Sequence, residues 1–142
     1  MLKGISTLLS PELLKVLMEM GHGDELVLAD GNFPSASMGK RVIRCDGHGV
    51  PEILDAVLQL YPLDRYVENP VALMQLVPGD SVETPIWETY RSIVNQYEKQ
   101  ANGIENVERY AFYERAKNAY AVVATGEKAL YANIILKKGV VV

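Results

Sequence analysis

Residues able to do chemistry bracket one short apolar segment. Gly21-His22-Gly23-Asp24-Glu25 precedes the run Leu26-Val27-Leu28-Ala29, and Asp30-Gly31-Asn32-Phe33-Pro34 follows it. An imidazole has an unperturbed pKa that lets it both take and give a proton near neutrality, so His22 is a candidate general acid or base. The glycine on each side disfavours helix and puts His22 on an exposed turn. Asp30 ends the expected strand, where loop residues of α/β proteins line ligand crevices. The structural alternatives are a turn histidine bonded to backbone and an ordinary Asp-Gly turn.

Two further blocks could contact a polar ligand. Arg109-Tyr110-Ala111-Phe112-Tyr113-Glu114-Arg115 mixes rings, cations and a carboxylate, which suits stacking and hydrogen bonding to a ring-shaped polar molecule as well as a salt-bridged helix start. Tyr131-Ala132-Asn133 offers a phenol and an amide just before the last apolar run. A metal reading of His22 and His48 with Asp24 and Asp46 is weak, because the spacing matches no helical His-x-x-x-His set and no cysteine partner exists; no metal site is assigned. No dinucleotide fingerprint, Gly-x-x-x-x-Gly-Lys loop or Gly-x-Ser-x-Gly elbow is present, and the single cysteine lies in no nucleophile motif. What remains is proton transfer on, or binding of, a small polar ligand.

The bulk properties agree. A chain of 142 residues, 49% hydrophobic, is expected to form a single domain over 1–142. A net charge of −4 provides no basic field for phosphate backbones, so nucleic acid is not an expected partner. No apolar run reaches the ~18 residues of a membrane helix, and the lone Cys45 and the absence of a leader pattern lead to an expected cytoplasmic setting.

The elements that must position these residues follow from capping and periodicity. Ser10-Pro11-Glu12 starts a helix that Gly21 stops; Pro51 opens a second, ended by Pro62; Thr84-Pro85 opens a third, expected to close near Asn102-Gly103; Phe112 to Asn118 forms a short fourth. Apolar runs at Leu26–Ala29, Val42–Cys45, Val71–Val77, Tyr120–Ala124 and Asn133–Leu136 read as strands. Their continuity suits strands covered on both faces, which predicts an α/β fold: a three-layer α/β/α sandwich with a largely parallel sheet.

Ser10 to Leu17, Met20 to Glu25, Ser37-Met38-Gly39, Val42-Ile43-Arg44, Arg109 to Ala116 and Tyr131 to Val140 together resemble the L-fucose mutarotase branch of the fucose mutarotase and D-ribose pyranase family. The likeness runs nearly end to end, in several separated blocks in the right order. It implies a cofactor-free isomerase that interconverts sugar anomers by acid/base ring opening, with a monosaccharide as substrate. It also implies a homo-oligomer, a ring or decamer. The family's acid/base histidine falls on His22, and its substrate-binding residues fall on Asp30, Arg109 and the block Tyr131, Ala132 and Asn133. The fucose branch usually has glycine at Ala132, and Tyr-Ala-Asn-Ile-Ile-Leu resembles the ribose branch. A D-ribose pyranase, a non-catalytic sugar-binding protein and a purely structural subunit are the alternatives.

Overall fold

The computed structural model describes residues 1–99 and 103–142. Its elements run α1 (Pro11–Glu19), β1 (Glu25–Ala29), α2 (Ser35–Met38), β2 (Val42–Cys45), α3 (Val50–Leu58), β3 (Val71–Met74), α4 (Pro85–Tyr97), β4 (Ile104–Val107), α5 (Arg109–Asn118), β5 (Ala121–Thr125) and β6 (Ile134–Lys137). The Ser10 hydroxyl accepts the Leu13 N–H at 3.1 Å and so satisfies one of the donors that the first turn of α1 leaves free. At α3 the Glu52 carboxylate reaches back to the Gly49 N–H at 2.7 Å. Helix α4 ends at Tyr97, earlier than its pattern predicts; Asn102 lies outside the described residues. Helix α5 begins at Arg109 rather than Phe112 because Glu108 caps it, accepting the N–H groups of Tyr110 and Ala111 at 3.0 Å each.

The six strands form one sheet in the order β2-β5-β1-β6-β3-β4. The sheet is mixed, largely but not purely parallel: β2–β5, β5–β1 and β3–β4 pair in parallel, whereas β6 alone runs against the rest, antiparallel to both of its neighbours, β1 and β3. A parallel strand needs a long crossover, usually a helix, and the connection 126–133 contains none, so the chain turns at the sheet edge and runs back. A run of apolar residues buried on both faces carries no mark of direction. Strand β4 went unrecognised because its burial is only partial and its sequence, Ile-Glu-Asn-Val, is half polar.

Alternate residues of the central strands feed two apolar clusters. Leu26, Leu28, Leu73, Val123 and Ile134 pack with α1, α3 and α4, while Val27, Ala29, Ala72, Val122 and Ile135 pack with Phe33 and with Phe112 and Ala116 of α5. Phe112 is fully buried, and its truncation to alanine would cost about 3–5 kcal/mol. Arg115 clamps α5 to the sheet by pairing with Glu25 of β1 at 2.6 Å and Glu105 of β4 at 2.7 Å. No helix among the described residues is long and apolar enough to cross a membrane.

Candidate functional site

The antiparallel course of β6 decides what meets what. Leu28 of β1 and Leu73 of β3 both pair with Ile134, so the start of β6 lies beside the ends of β1 and β3. The end of β3 lies beside the end of β4, with Met74 opposite Val107. The loops after β1, β3 and β4 and the loop before β6 therefore converge on one edge. There they enclose an open cavity of about 350 Å³ lined by Asp30, Phe33, Val77, Asp80, Arg109, Tyr113, Tyr131 and Asn133, among others. That is toward the small end of the roughly 300–1,000 Å³ range for small-molecule sites.

Asp30 is 6% exposed. Its carboxylate accepts the Asn32 N–H at 3.0 Å and the Ala132 N–H at 3.4 Å, and its own N–H donates to Asn133 Oδ1 at 2.8 Å. Burial pushes its carboxyl above the ordinary carboxylate range, with those backbone donors opposing the shift. Because Asn133 uses its Oδ1 on Asp30, the amide Nδ2 is the group it can offer a ligand. Gly31 fits because its N–H donates to the Glu127 carbonyl at 2.9 Å, and a Cβ at that position would stand 3.2 Å from the same oxygen.

Arg109 occupies the first position of α5 and is exposed. Its Nε donates to the Tyr113 hydroxyl at 3.1 Å, and the guanidinium sits 5.4 Å from the centroid of that ring. The bond to Tyr113 raises its pKa, so the charge is permanent. Tyr113 meets Phe33 edge to face at 5.7 Å, giving the cavity an aromatic wall.

Tyr131 has a left-handed backbone, φ 55°, the one non-glycine residue with positive φ among those described. Helix α4 holds the neighbouring chain in place: Trp87 Nε1 donates to the Tyr131 carbonyl at 2.8 Å and the buried Tyr90 hydroxyl to the Ala132 carbonyl at 2.7 Å. Such strain persists only where surrounding contacts over-determine it. Ala132 itself does not line the cavity. It is fully buried behind the wall, where its N–H and C=O are held by Asp30 and Tyr90, so its methyl offers no surface to a ligand.

His22 is elsewhere. It precedes β1 whereas Asp30 follows it, and the neighbouring Gly23 N–H donates to the Lys138 carbonyl just beyond β6, at the opposite edge of the sheet. Its Nε2 lies 3.2 Å from the buried carboxylate of Asp64, and its ring stands 5.5 Å from that of Tyr66. The structure thus brings together Asp30, Arg109, Tyr131 and Asn133 and separates His22 from them within one chain. His48, in the turn before α3, lies 3.6 Å from Glu52, and Asp46 pairs with Arg44. Among the described residues no three His, Cys, Asp or Glu side chains cluster as a metal site would.

Phe33, Asp80, Trp87, Tyr90 and Asp64 escaped sequence reasoning. Asp80, in a Gly-Asp pair, had a local turn mark and Tyr90 an apolar place in the third helix; no local pattern gave Phe33, Trp87 or Asp64 a role.

The model of the RbsD / FucU transport protein family matches residues 3–141. The chain belongs to that family. It is 56% identical to the human fucose mutarotase over 98% of this chain and 94% of that protein. The crystal structure of FucU from Bifidobacterium longum superposes with a TM-score of 0.95 at 59% identity, covering 99% of this chain and all of that one. The fucose mutarotase of Streptococcus pneumoniae, solved in complex with L-fucose, gives 0.91 at 55% identity, again covering 99% of this chain and all of that one.

Proposed function

We propose that this chain is an isomerase that interconverts the α and β anomers of L-fucose. The observation that carries this reading is the cavity bounded by Asp30, Arg109, Tyr131 and Asn133, in a chain 55% identical over nearly its whole length to a fucose mutarotase solved with L-fucose. Anomer exchange needs no oxidant. The anomeric hydroxyl gives up a proton, the ring oxygen takes one, the bond between C1 and the ring oxygen breaks, C1–C2 rotates and the ring recloses. Arg109 and the Asn133 amide donate to sugar hydroxyls, Asp30 accepts from them, and the Phe33 and Tyr113 rings cover the apolar face of the sugar.

His22 supplies the proton shuttle. Asp64 engages its Nε2, which fixes the ring and leaves Nδ1 for the sugar. Because β1 alone separates His22 from Asp30 by roughly 17 Å of strand, His22 serves a cavity of a second copy rather than its own. The active species is then a homo-oligomer, as a ring or decamer would provide, with each site built from one copy's cavity and another copy's histidine. Helices on both sheet faces and two continuous core clusters favour a three-layer α/β/α arrangement and a single domain over 1–142. No cofactor enters the scheme, and a cytoplasmic setting suits the free thiol of Cys45.

Saturation-transfer NMR on L-fucose and D-ribose with one protein sample tests the substrate; faster pyranose–furanose exchange of ribose than α–β exchange of fucose would overturn it. Complementation tests the shared site. His22→Ala and Asp30→Ala are each expected to be inactive, and reassembly of an equal mixture restores roughly a quarter of the sites if copies assort randomly. No recovery from subunits shown to mix would refute the role of His22 across the interface.

A further inference from the structure

The loop after β3 lines part of the cavity and is joined to the segment before β6 through one phenol. The Tyr131 hydroxyl donates to Asp80 Oδ2 at 2.6 Å and accepts the Val77 N–H at 3.3 Å. The other oxygen, Asp80 Oδ1, accepts the Val82 N–H at 3.1 Å, and Asp80 N–H donates to the Val77 carbonyl at 3.0 Å, so the carboxylate is anchored in its own turn. Gly79, at φ +89°, gives that turn its left-handed residue. Asp80, Val77 and Tyr131 all line the cavity.

We infer that Asp80 is a positioning residue: by accepting the phenolic O–H it leaves Tyr131 only its remaining oxygen lone pair, beside the one facing the Val77 N–H, with which to accept from a sugar hydroxyl, and it holds the 75–84 loop at the cavity wall. The inference rests on the sugar reading of this pocket. A phenol has one proton to give. With that O–H donated to Asp80, Tyr131 neither donates to the ring oxygen nor protonates it, and proton delivery falls to another group. Two charges face the phenol. Asp80 raises its pKa, first through the hydrogen bond and further through its charge, and Arg109 lowers it by a lesser amount. The same bond holds the Asp80 carboxyl below its ordinary range, so the acceptor stays ionised.

Asp80→Asn inverts the polarity. The amide placed at Oδ2 donates to the phenol oxygen and frees the O–H to face the cavity. The side chain is exposed, so the fold is retained, which circular dichroism checks. The experiment combines anomer-exchange kinetics on L-fucose with an alkaline difference-absorbance titration of the assembled protein. Subtracting Tyr131→Phe in each background isolates one phenol among eight. In the Asp80→Asn protein the Tyr131 midpoint falls, and KM for L-fucose rises about tenfold with kcat little changed, the loss expected for one hydrogen bond. Tyr131→Phe raises KM alike, and the double variant loses nothing further. An unmoved midpoint, additive losses, or a fall in kcat at constant KM would each overturn the inference. Absence of fucose exchange in the unmodified protein would instead sink the mutarotase reading, while the titration still decides whether Asp80 accepts the phenolic O–H.

Discussion

Removing the Tyr90 hydroxyl tests whether α4 sets the cavity wall. Tyr90 is fully buried, and its O–H donates to the Ala132 carbonyl at 2.7 Å, beside the strained Tyr131. Tyr90→Phe keeps the ring packing, creates no cavity and leaves a buried carbonyl without that donor. A lost bond together with an unsatisfied buried acceptor costs about 2 kcal/mol. For a domain of this size that corresponds to a fall in Tm of roughly 4–8 °C. The same loss loosens Ala132, whose N–H bonds Asp30 from the preceding peptide, so KM for L-fucose rises several-fold, while the Trp87 bond to the Tyr131 carbonyl of that preceding peptide limits the damage. Thermal unfolding at fixed protein concentration and NMR exchange kinetics measure the two effects. A Tm within 1 °C of the unmodified protein, well below the shift expected from the burial of this group, would refute the argument. So would a lowered Tm with unchanged KM, which would detach α4 from the site.

Arg109→Lys is expected to raise KM for L-fucose without disturbing the fold, because an ammonium cannot reproduce the planar fork that bonds Tyr113 and still faces the cavity; unchanged saturation kinetics would remove Arg109 from the site. Asp30→Asn is expected to abolish binding and, because its amide nitrogen would face a backbone N–H that a carboxylate oxygen accepts, to change stability by an amount that depends on pH. Since burial raises the folded pKa of Asp30 above the ordinary value, its favourable contribution is complete below that value and is lost as pH rises through the raised one. Urea midpoints should therefore show the stability of the Asn variant relative to the unmodified protein rising as pH rises through the raised carboxyl pKa, and a difference independent of pH would contradict the assignment. Cys45 is buried, and burial raises its thiol pKa, so it is expected to react slowly with a thiol reagent in the native protein and quickly in urea.

Local chemistry, which the sequence holds entirely, determined the starts of α1, α3 and α4: a serine cap, a glycine with a reaching glutamate, and prolines in the first turn act within a few residues. It also determined that β1 carries His22 before it and Asp30 after it, and a turn before a strand and a loop after it must lie at opposite sheet edges. The residue types around the cavity, Asp30, Arg109, Tyr131 and Asn133, were equally visible. Tertiary structure alone decided the direction of β6, because a doubly buried strand is apolar whichever way it runs, and that direction is what carries Tyr131 and Asn133 to Asp30. It decided that Ala132 stands behind the wall and not on it. It also decided the partnerships of Tyr131 with Asp80 and of Ala132 with Tyr90, since hydrogen bonds between side chains and loops so far apart in sequence follow from the packing of α4 and of the loop after β3 on the sheet edge, which no local pattern encodes.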